Sequence, residues 1–471
     1  MMKTKTLKKI NNKSLMQSNH TQRKKCIGGK VIGSGGYGCI FKPALKCKNK
    51  QNKKGDLAQG TGDLTKLMTL SHANSEYNEI NKYKDKLMSI PNYKDYFLID
   101  DIFLCEPEKL SKEDLKHYKS KCTALPKKGI TNKNINNSLD KVLALNMPDG
   151  GIDIGDYLQL NKKEEDFIEI NIALIDLLNN GIVPMNNKNI YHCDIKESNV
   201  LVKPKVQSVK EKEKQENSDE LHELNARLID WGLSTEYIQG GAIPKVITNR
   251  PFQYNVPFSI VLFNPRLEEL YDDLLREHPN PEYFLIRGFA IDFVLIWLKE
   301  RGIGHFKVIN EFIKCMFSND SSELFKTQNP HDEYMSDYVY TYYYITNYLT
   351  EILYKYTING ELNLFKYFND VFIKNIDLWG FIMTYSPILE DFYNNYKKLN
   401  DYELKVFDKL KRIIIVFLFE TSTSPINVDE LTTELKELNI LFNECKDKHS
   451  MRLQSSTISM TPSIFTNTSV S

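Results

Sequence analysis

YHCDIKESNVLV, residues 191–202, is the stretch whose reading decides the fold of this 471-residue chain. Asp194 is followed two residues later by Lys196 and five residues later by Asn199, and the apolar run from Val200 to Val202 reads as a strand. A loop of that length can bring the asparagine back beside the aspartate. Asp194 then offers a carboxylate to orient a hydroxyl and accept its proton, while Asn199 offers an amide oxygen of the kind a hard cation takes. Lys196 supplies a positive charge to neutralise negative charge as it develops. His192 reads as a packing and hydrogen-bonding member of the loop. A chance polar loop before a strand is the bland alternative, and it weakens as further parts of the same chemistry appear in order along the chain.

Upstream, IGGKVIGSGGYGCIFKPAL (residues 27–45) reads as a strand, a tight turn and a second strand. Gly33, Ser34, Gly35, Gly36, Tyr37 and Gly38 spell GxGxxG at the turn, bracketed by Ile32 and Ile40. Backbone that wraps phosphate oxygens has to approach without side chains in the way and to reach positive φ, which glycine permits. A dinucleotide-binding loop has the same spelling, but a helix follows its glycines, and here Cys39, Ile40, Phe41, Lys42 and Pro43 read as strand. Downstream, ARLIDWGLS places Asp230, Trp231 and Gly232 after a short strand, 31 residues beyond Asn199 (230 − 199). A charged stretch between Val202 and Ala226, poor in core formers, accounts for that separation as a surface insertion.

Other elements follow from periodicity. Tyr77, Ile80, Tyr83 and Leu87 predict a helix over residues 74–88, with Pro91 as its stop. Residues 96–104 and 141–145 read as strands. Phe167, Ile168, Ile170, Leu174, Ile175, Leu177 and Leu178 predict an amphipathic helix ended by Gly181. From about Asn255 the pattern is mostly helical, including Ile291 to Lys299, Leu364 to Phe372 and Tyr402 to Phe419.

In this order the motifs resemble those of the eukaryotic-type serine/threonine protein kinases, most closely the divergent set found in large DNA viruses of the mimivirus kind. The resemblance runs from about Ile27 to Tyr385, with TKLM, EYNEI, IPNYKDYF, MPDGG, HCDIKESN, IDWGLS, RPFQYNVPFS and IDLWGFIMTY as landmarks. It implies an α+β, bilobal fold with a small β-rich lobe over 26–148 and a larger, mainly helical lobe over 149–420, joined at Met147 to Gly151, with ATP in the cleft. Insertions are expected near 203–225 and 255–365, with a basic disordered arm at 1–25 and a C-terminal extension at 421–471 whose Ser/Thr-rich tail begins at 450. The activity implied is transfer of the γ-phosphate of Mg-ATP to Ser or Thr hydroxyls of a protein substrate. Asp194 and Lys196 take the catalytic roles, and Asn199 and Asp230 hold Mg²⁺. The glycine turn with Ile32 and Ile40 covers the nucleotide. Lys66, on the third strand, meets its phosphates and pairs with Glu76, Lys42 and Lys46 being runners-up for the lysine and Glu79 for the acid. Asp377 matches the buried aspartate that braces the catalytic loop.

The departures from the family pattern carry expectations of their own. Cys193 stands where an arginine usually receives an activation-loop phosphate, so activity without that modification is expected. No APE triplet is present, and NRPFQYNVPFS replaces it. With Leu145 as gatekeeper, the hinge position that normally donates to adenine is Pro148, which has no N–H, so the carbonyl of Asn146 and apolar contacts are expected to hold the base. A pseudokinase scaffold is the alternative from a different class. A small-molecule or lipid phosphotransferase is another, though these usually lack a lysine at the position of Lys196.

Composition agrees with a globular enzyme: 41% hydrophobic and 26% charged residues, with 62 basic against 61 acidic side chains, create no global field for nucleic acid. Residues 1–25 are basic but carry no interleaved aromatic, so they read as a solvated arm. The eight cysteines show no CxxC pair or regular spacing, so neither a zinc site nor a disulfide scaffold is expected, and a reducing compartment follows. The longest apolar run, Ile413 to Phe419, is too short to span a bilayer. A soluble protein of the cytoplasm is expected, the host's if the source is viral, with packaging in a virion conceivable.

Overall fold

Strand alternation sets the first elements. In the computed structural model, which describes residues 29–48, 62–205, 223–248, 250–302, 306–317 and 339–458, β1 (Lys30–Ser34) and β2 (Gly38–Lys42) form an antiparallel hairpin with Lys30 opposite Lys42 and Ser34 opposite Cys39. Val31, Cys39 and Phe41 point into the core while Ile32 stays outside. β3 (Leu64–Thr69) pairs with β2, placing Lys66 opposite Ile40. With β4 (Phe103–Cys105) and β5 (Val142–Met147) they make a five-stranded sheet in the order β1-β2-β3-β5-β4.

The chain divides into two compact units: Met1–Leu70 with Cys105–Asn146, and Ser71–Leu104 with Met147–Ser471. The first is the smaller and richer in sheet. Its core gathers Val31, Phe41, Leu67 and Val142 from the strands and Tyr118, Leu125 and Ile135 from the segment after β4. That segment is fastened by Cys39–Cys122, and Cys47–Cys105 makes a second disulfide. Both bonds overturn the expectation of no disulfide scaffold, and the inference to a reducing compartment loses its basis. The partners stand 83 and 58 residues apart, too far for spacing to announce them.

The second unit is mainly helical. α1 (Leu70–Met88) buries Ala73, Ile80, Tyr83 and Leu87 on one face. The strand expected over 96–104 shrinks to a single bridge from Phe97 to Leu228 and the three residues of β4. Asp100 is held by Tyr93 (2.6 Å), Lys84 and Lys94, and Asp101 turns to φ 55°, so the extended run is broken. A three-stranded sheet, order β6-β8-β9, joins β6 (Ile152–Asp153), β8 (Val200–Pro204) and β9 (Leu224–Leu228). Most of the insertion expected between the last two lies outside the described residues, as does the basic arm.

Asp153 caps α2 (Ile154–Leu160), accepting the Asp156 N–H at 2.9 Å. α3 (Glu164–Asp176) does not stop at Gly181: the helix continues through a wider turn, Leu177–Ile182, into Val183–Asn187. Gly181 serves packing instead, because a Cβ there would lie 2.9 Å from the Cβ of Tyr96. This stretch, Glu164–Asn187, is long and apolar enough to cross a membrane, and 56% of its most apolar window is buried inside the protein.

Residues 255–365, expected as an insertion of mostly helical pattern, form α4 (Pro265–Glu277), α5 (Tyr283–Arg301), α6 (Phe306–Phe317) and α7 (Val339–Tyr356) among the described residues. α8 (Ile373–Met383) is buried almost throughout, and α9 (Asp401–Ile414) precedes the long α10 (Val428–Ile458). α10 lies along α3, with Phe442 stacked on Phe167 at 5.5 Å and Asn171 donating to the Leu435 carbonyl at 2.8 Å. Residues 450–458, assigned by composition to an unstructured tail, continue this helix. Residues 459–471 lie outside the described residues.

Candidate active site

Two strand pairings bring the loops of interest together within the second unit. β7 (Ile190–Tyr191) pairs with β10 (Thr235–Glu236), and β8 pairs with β9. The 192–199 loop therefore leaves one pair and enters the other, and Asp230 to Ser234 crosses back between the same two. The Ile229 N–H donates to the Asn199 carbonyl at 3.1 Å, one residue before Asp230.

At the centre is Asp194, with its side chain 8% exposed. Its Oδ1 accepts from Arg250 Nη2 at 2.8 Å and Asn255 Nδ2 at 3.0 Å, and its Oδ2 from Lys196 Nζ and Asn199 Nδ2, both at 3.0 Å. Burial by itself would raise the Asp194 carboxyl. The Arg250 and Lys196 cations, with hydrogen bonds from Asn255 and Lys196, outweigh it and hold the group below its ordinary value. The Asn199 amide also donates to the Asp194 carbonyl at 2.8 Å. Its NH₂ is thereby committed, and Oδ1 remains as the oxygen that can bind a cation.

His192 bridges the two loops. Nδ1 accepts the Asp194 N–H at 3.3 Å and Nε2 meets the Ile229 carbonyl at 3.0 Å, so the ring carries its proton on Nε2 and has no nitrogen left to act as a base. It packs on Trp231 at 5.0 Å, and Trp231 also meets Phe97 at 5.8 Å and Tyr83 of α1 at 6.2 Å. The Tyr83 hydroxyl donates to the Ser234 carbonyl at 2.8 Å, and Lys86 bonds Glu236, so α1 is docked on the Asp230–Glu236 segment.

The loop is braced from below by Asp377 of α8, which is fully buried. Oδ1 accepts the Cys193 N–H at 2.7 Å, and Oδ2 accepts the His192 N–H at 2.9 Å and Asn186 Nδ2 at 2.7 Å. Complete burial pushes this carboxyl up, and these donors, with His192 nearby, oppose that. The bracing sustains a left-handed Cys193 (φ 59°), and Asp230 is left-handed too (φ 68°), a conformation non-glycine residues hold only when their surroundings impose it. One turn further along α8, Gly380 lets the helix meet the loop: a Cβ there would sit 2.5 Å from the Ile195 carbonyl.

Asp230 is exposed beside this cluster. A carboxylate at Asp230 and the Asn199 amide oxygen form a donor set of hard oxygens, which suits Mg²⁺. Among the described residues no group of three or more His, Cys, Asp or Glu forms a denser metal site.

In the first unit, the glycine turn is closed by the Gly35 N–H to the Gly38 carbonyl at 3.0 Å and by the Ser34 hydroxyl to the same carbonyl at 3.1 Å. None of Gly33, Gly35, Gly36 and Gly38 adopts the positive φ expected from sequence. Of the four, Gly38 alone is required for space: a Cβ there would strike Met68 of β3 at 2.4 Å, whereas one at Gly33 or Gly36 would meet nothing within 4 Å. Lys66 passes beneath, its Cε 3.8 Å from where a Gly35 Cβ would stand. Tyr37 is 62% exposed at the tip, and Ile32 and Ile40 flank the turn on β1 and β2. Asn146, at the end of β5, is buried, with its Oδ1 bonded by Thr65 and its Nδ2 directed to Cys47 Sγ (3.2 Å) and Cys105 Sγ (3.1 Å). Its side chain is thus a structural tie. Glu76 lies on α1 in the second unit.

Sequence reasoning missed Arg250, Asn255 and Tyr254. All three come from the RPFQYNVPFS stretch and grip the loop, Tyr254 donating to Glu197 at 2.7 Å. Arginine is scarce in this lysine-rich chain, and its choice at 250 was the signal available.

No model of a known protein family matches the chain, and no curated protein matches it. Among solved structures, the crystal structure of the PF14_0431 kinase domain is similar at 13% identity, over 50% of this chain and 57% of that one, with a TM-score of 0.27. A superposition that loose carries no argument, and the functional reading rests on the site.

Proposed function

We propose that the chain is a protein kinase of serine/threonine type, transferring the γ-phosphate of Mg-ATP to a protein hydroxyl. The observation that carries this reading is the four-donor arrangement around Asp194, in which Lys196 and Asn199 converge on one carboxylate oxygen a single hydrogen bond from the strand end that presents Asp230. In this reading Asp194 orients the acceptor hydroxyl and takes its proton, Lys196 balances charge on the transferring phosphoryl, and the second unit's Asn199 and Asp230 hold the magnesium. Bound Mg²⁺ would supply charge neutralisation for the phosphates. Within the first unit, the open glycine turn and Lys66 are the groups suited to phosphates, and the Asn146 carbonyl is the one suited to a base.

Purified protein incubated with labelled ATP, Mg²⁺ and a generic basic acceptor protein is expected to yield phosphoserine or phosphothreonine. Asp194→Ala is expected to lower turnover on the order of 1,000-fold or more. Equal labelling by wild type and Asp194→Ala would overturn the reading, and nucleotide binding without any transfer would favour the scaffold alternative.

A further inference from the structure

The two oxygens of Asp194 have different surroundings. On the Oδ1 side stand Arg250, with its side chain 1% exposed, and Asn255, also 1% exposed. On the Oδ2 side stand the buried Asn199, and Lys196, whose side chain is 24% exposed. Of the four donors around Asp194, Lys196 on the Oδ2 side is therefore the least buried. Arg250 is itself steadied by Gln253, which accepts from Nε at 3.1 Å, and Asn255 is steadied by the Ile195 carbonyl at 3.1 Å. Nη1 of Arg250 is buried with no hydrogen-bond partner among the described residues. A guanidinium buried with one nitrogen unpaired is a poor choice for stability, since an unsatisfied buried donor carries a penalty that a well-packed apolar side chain would avoid. Its placement is better explained by what it does to Asp194.

We propose that Arg250 is a positioning residue for phosphoryl transfer: with Asn255 it fixes Oδ1 of Asp194 on the fully buried side, so that the acceptor hydroxyl is received on the Oδ2 side, where Lys196 is partly exposed. This rests on the kinase reading and adds to it the segment that completes the site. The cation belongs to the RPFQYNVPFS stretch itself, so the stretch docks on the catalytic loop through its own charge and needs no added phosphate. Lys196 and Arg250 are the cations facing Asp194, and His192, Cys193 and Tyr254 are the other titratable groups next to it.

The test compares wild type, Arg250→Gln and Arg250→Lys in kcat, in KM for ATP, and in the pH dependence of kcat/KM. Arg250→Gln is expected to lose 10- to 100-fold in kcat with KM for ATP unchanged, because a misoriented carboxylate is penalised in the transition state and not in nucleotide binding. The acid limb of its profile moves to higher pH, since a cation that favours the carboxylate is gone. Arg250→Lys keeps the limb near its wild-type position and recovers part of kcat. A purely structural arginine would lower melting temperature and leave the acid limb in place, which overturns the proposal, as does an Arg250→Gln protein at or above wild-type kcat. A ¹³C titration of the Asp194 carboxyl, assigned with Asp194→Asn, requires no turnover. An upward move in Arg250→Gln supports the tie and an unmoved carboxyl overturns it. A wild type inert toward every acceptor overturns the kinase reading, while the titration still decides the contact between Arg250 and Asp194.

Discussion

Replacing Asp377 by alanine removes the acceptor of three hydrogen bonds at a site with no exposure: those from Cys193 N (2.7 Å), His192 N (2.9 Å) and Asn186 Nδ2 (2.7 Å). Each buried donor left unpaired costs about 1–3 kcal/mol, and the three share one carboxylate, so their losses are less than additive. A total of about 3–6 kcal/mol follows, a large share of what holds a domain folded. The cost falls unevenly. Cys193 sits at φ 59° because Asp377 holds its N–H, and once released it relaxes toward the ordinary regions, undoing the Asp194 geometry one residue on. Urea unfolding measures the global loss, and hydrogen exchange of the 190–195 segment the local one. If Asp377→Ala unfolds at too low a denaturant to be handled, Asp377→Asn, which keeps the shape but sets an NH₂ against some of the same donors, is expected to lose a smaller part of that stability and to show the same faster exchange. A loss under about 1 kcal/mol, with exchange at residues 192 and 193 unchanged, would refute the claim that Asp377 is the brace.

Gly380→Ala forces a methyl to 2.5 Å from the Ile195 carbonyl, and about 1–3 kcal/mol of destabilisation with a matching fall in turnover is expected in thermal melts and kinase assays. In unfolded, unreduced protein, alkylation should label, among the seven cysteines of the described residues, Cys193, Cys315 and Cys445 but not Cys39, Cys47, Cys105 or Cys122. Breaking Cys39–Cys122 alone, with the nested Cys47–Cys105 intact, reopens a loop of only 25 residues across that second bond (47 − 39 on one side, 122 − 105 on the other) and should lower stability by about 3.5 kcal/mol on the chain-entropy account; an unchanged melt would count against the bond. Because Asp194 is held below its ordinary 3.8, its carboxylate stabilises the fold fully above that pH, and the contribution vanishes as pH falls through the lower folded value. Asp194→Asn should therefore show a shallower acid loss of melting temperature than wild type, and parallel curves would contradict this.

What was legible in the sequence was what is local. Asp194, Lys196 and Asn199 share one loop, so their spacing carries their convergence, and the glycine turn and β3 were readable because β1, β2 and β3 pair in simple alternation. Tyr77, Ile80, Tyr83 and Leu87 marked the helix in the same local way. Long-range partners left no such trace: the Arg250 contact spans 56 residues and the Asn171 contact to the last helix spans 264. Gly181 was misread because the usual meaning of a glycine after an apolar helix is a stop, and only the closeness of Tyr96, far back in the chain, reverses it. Aspartates at 100 and 101 likewise broke a strand that their apolar neighbours suggested.

The embrace of α3 by α10 has a consequence for biosynthesis. Phe167 and Asn171 leave the ribosome more than 250 residues before Leu435 and Phe442, the groups that cover them. The larger unit therefore cannot seal its interior before α10 has been made, and a nascent polypeptide halted anywhere before residue 428 exposes an apolar helix to the chaperone pool.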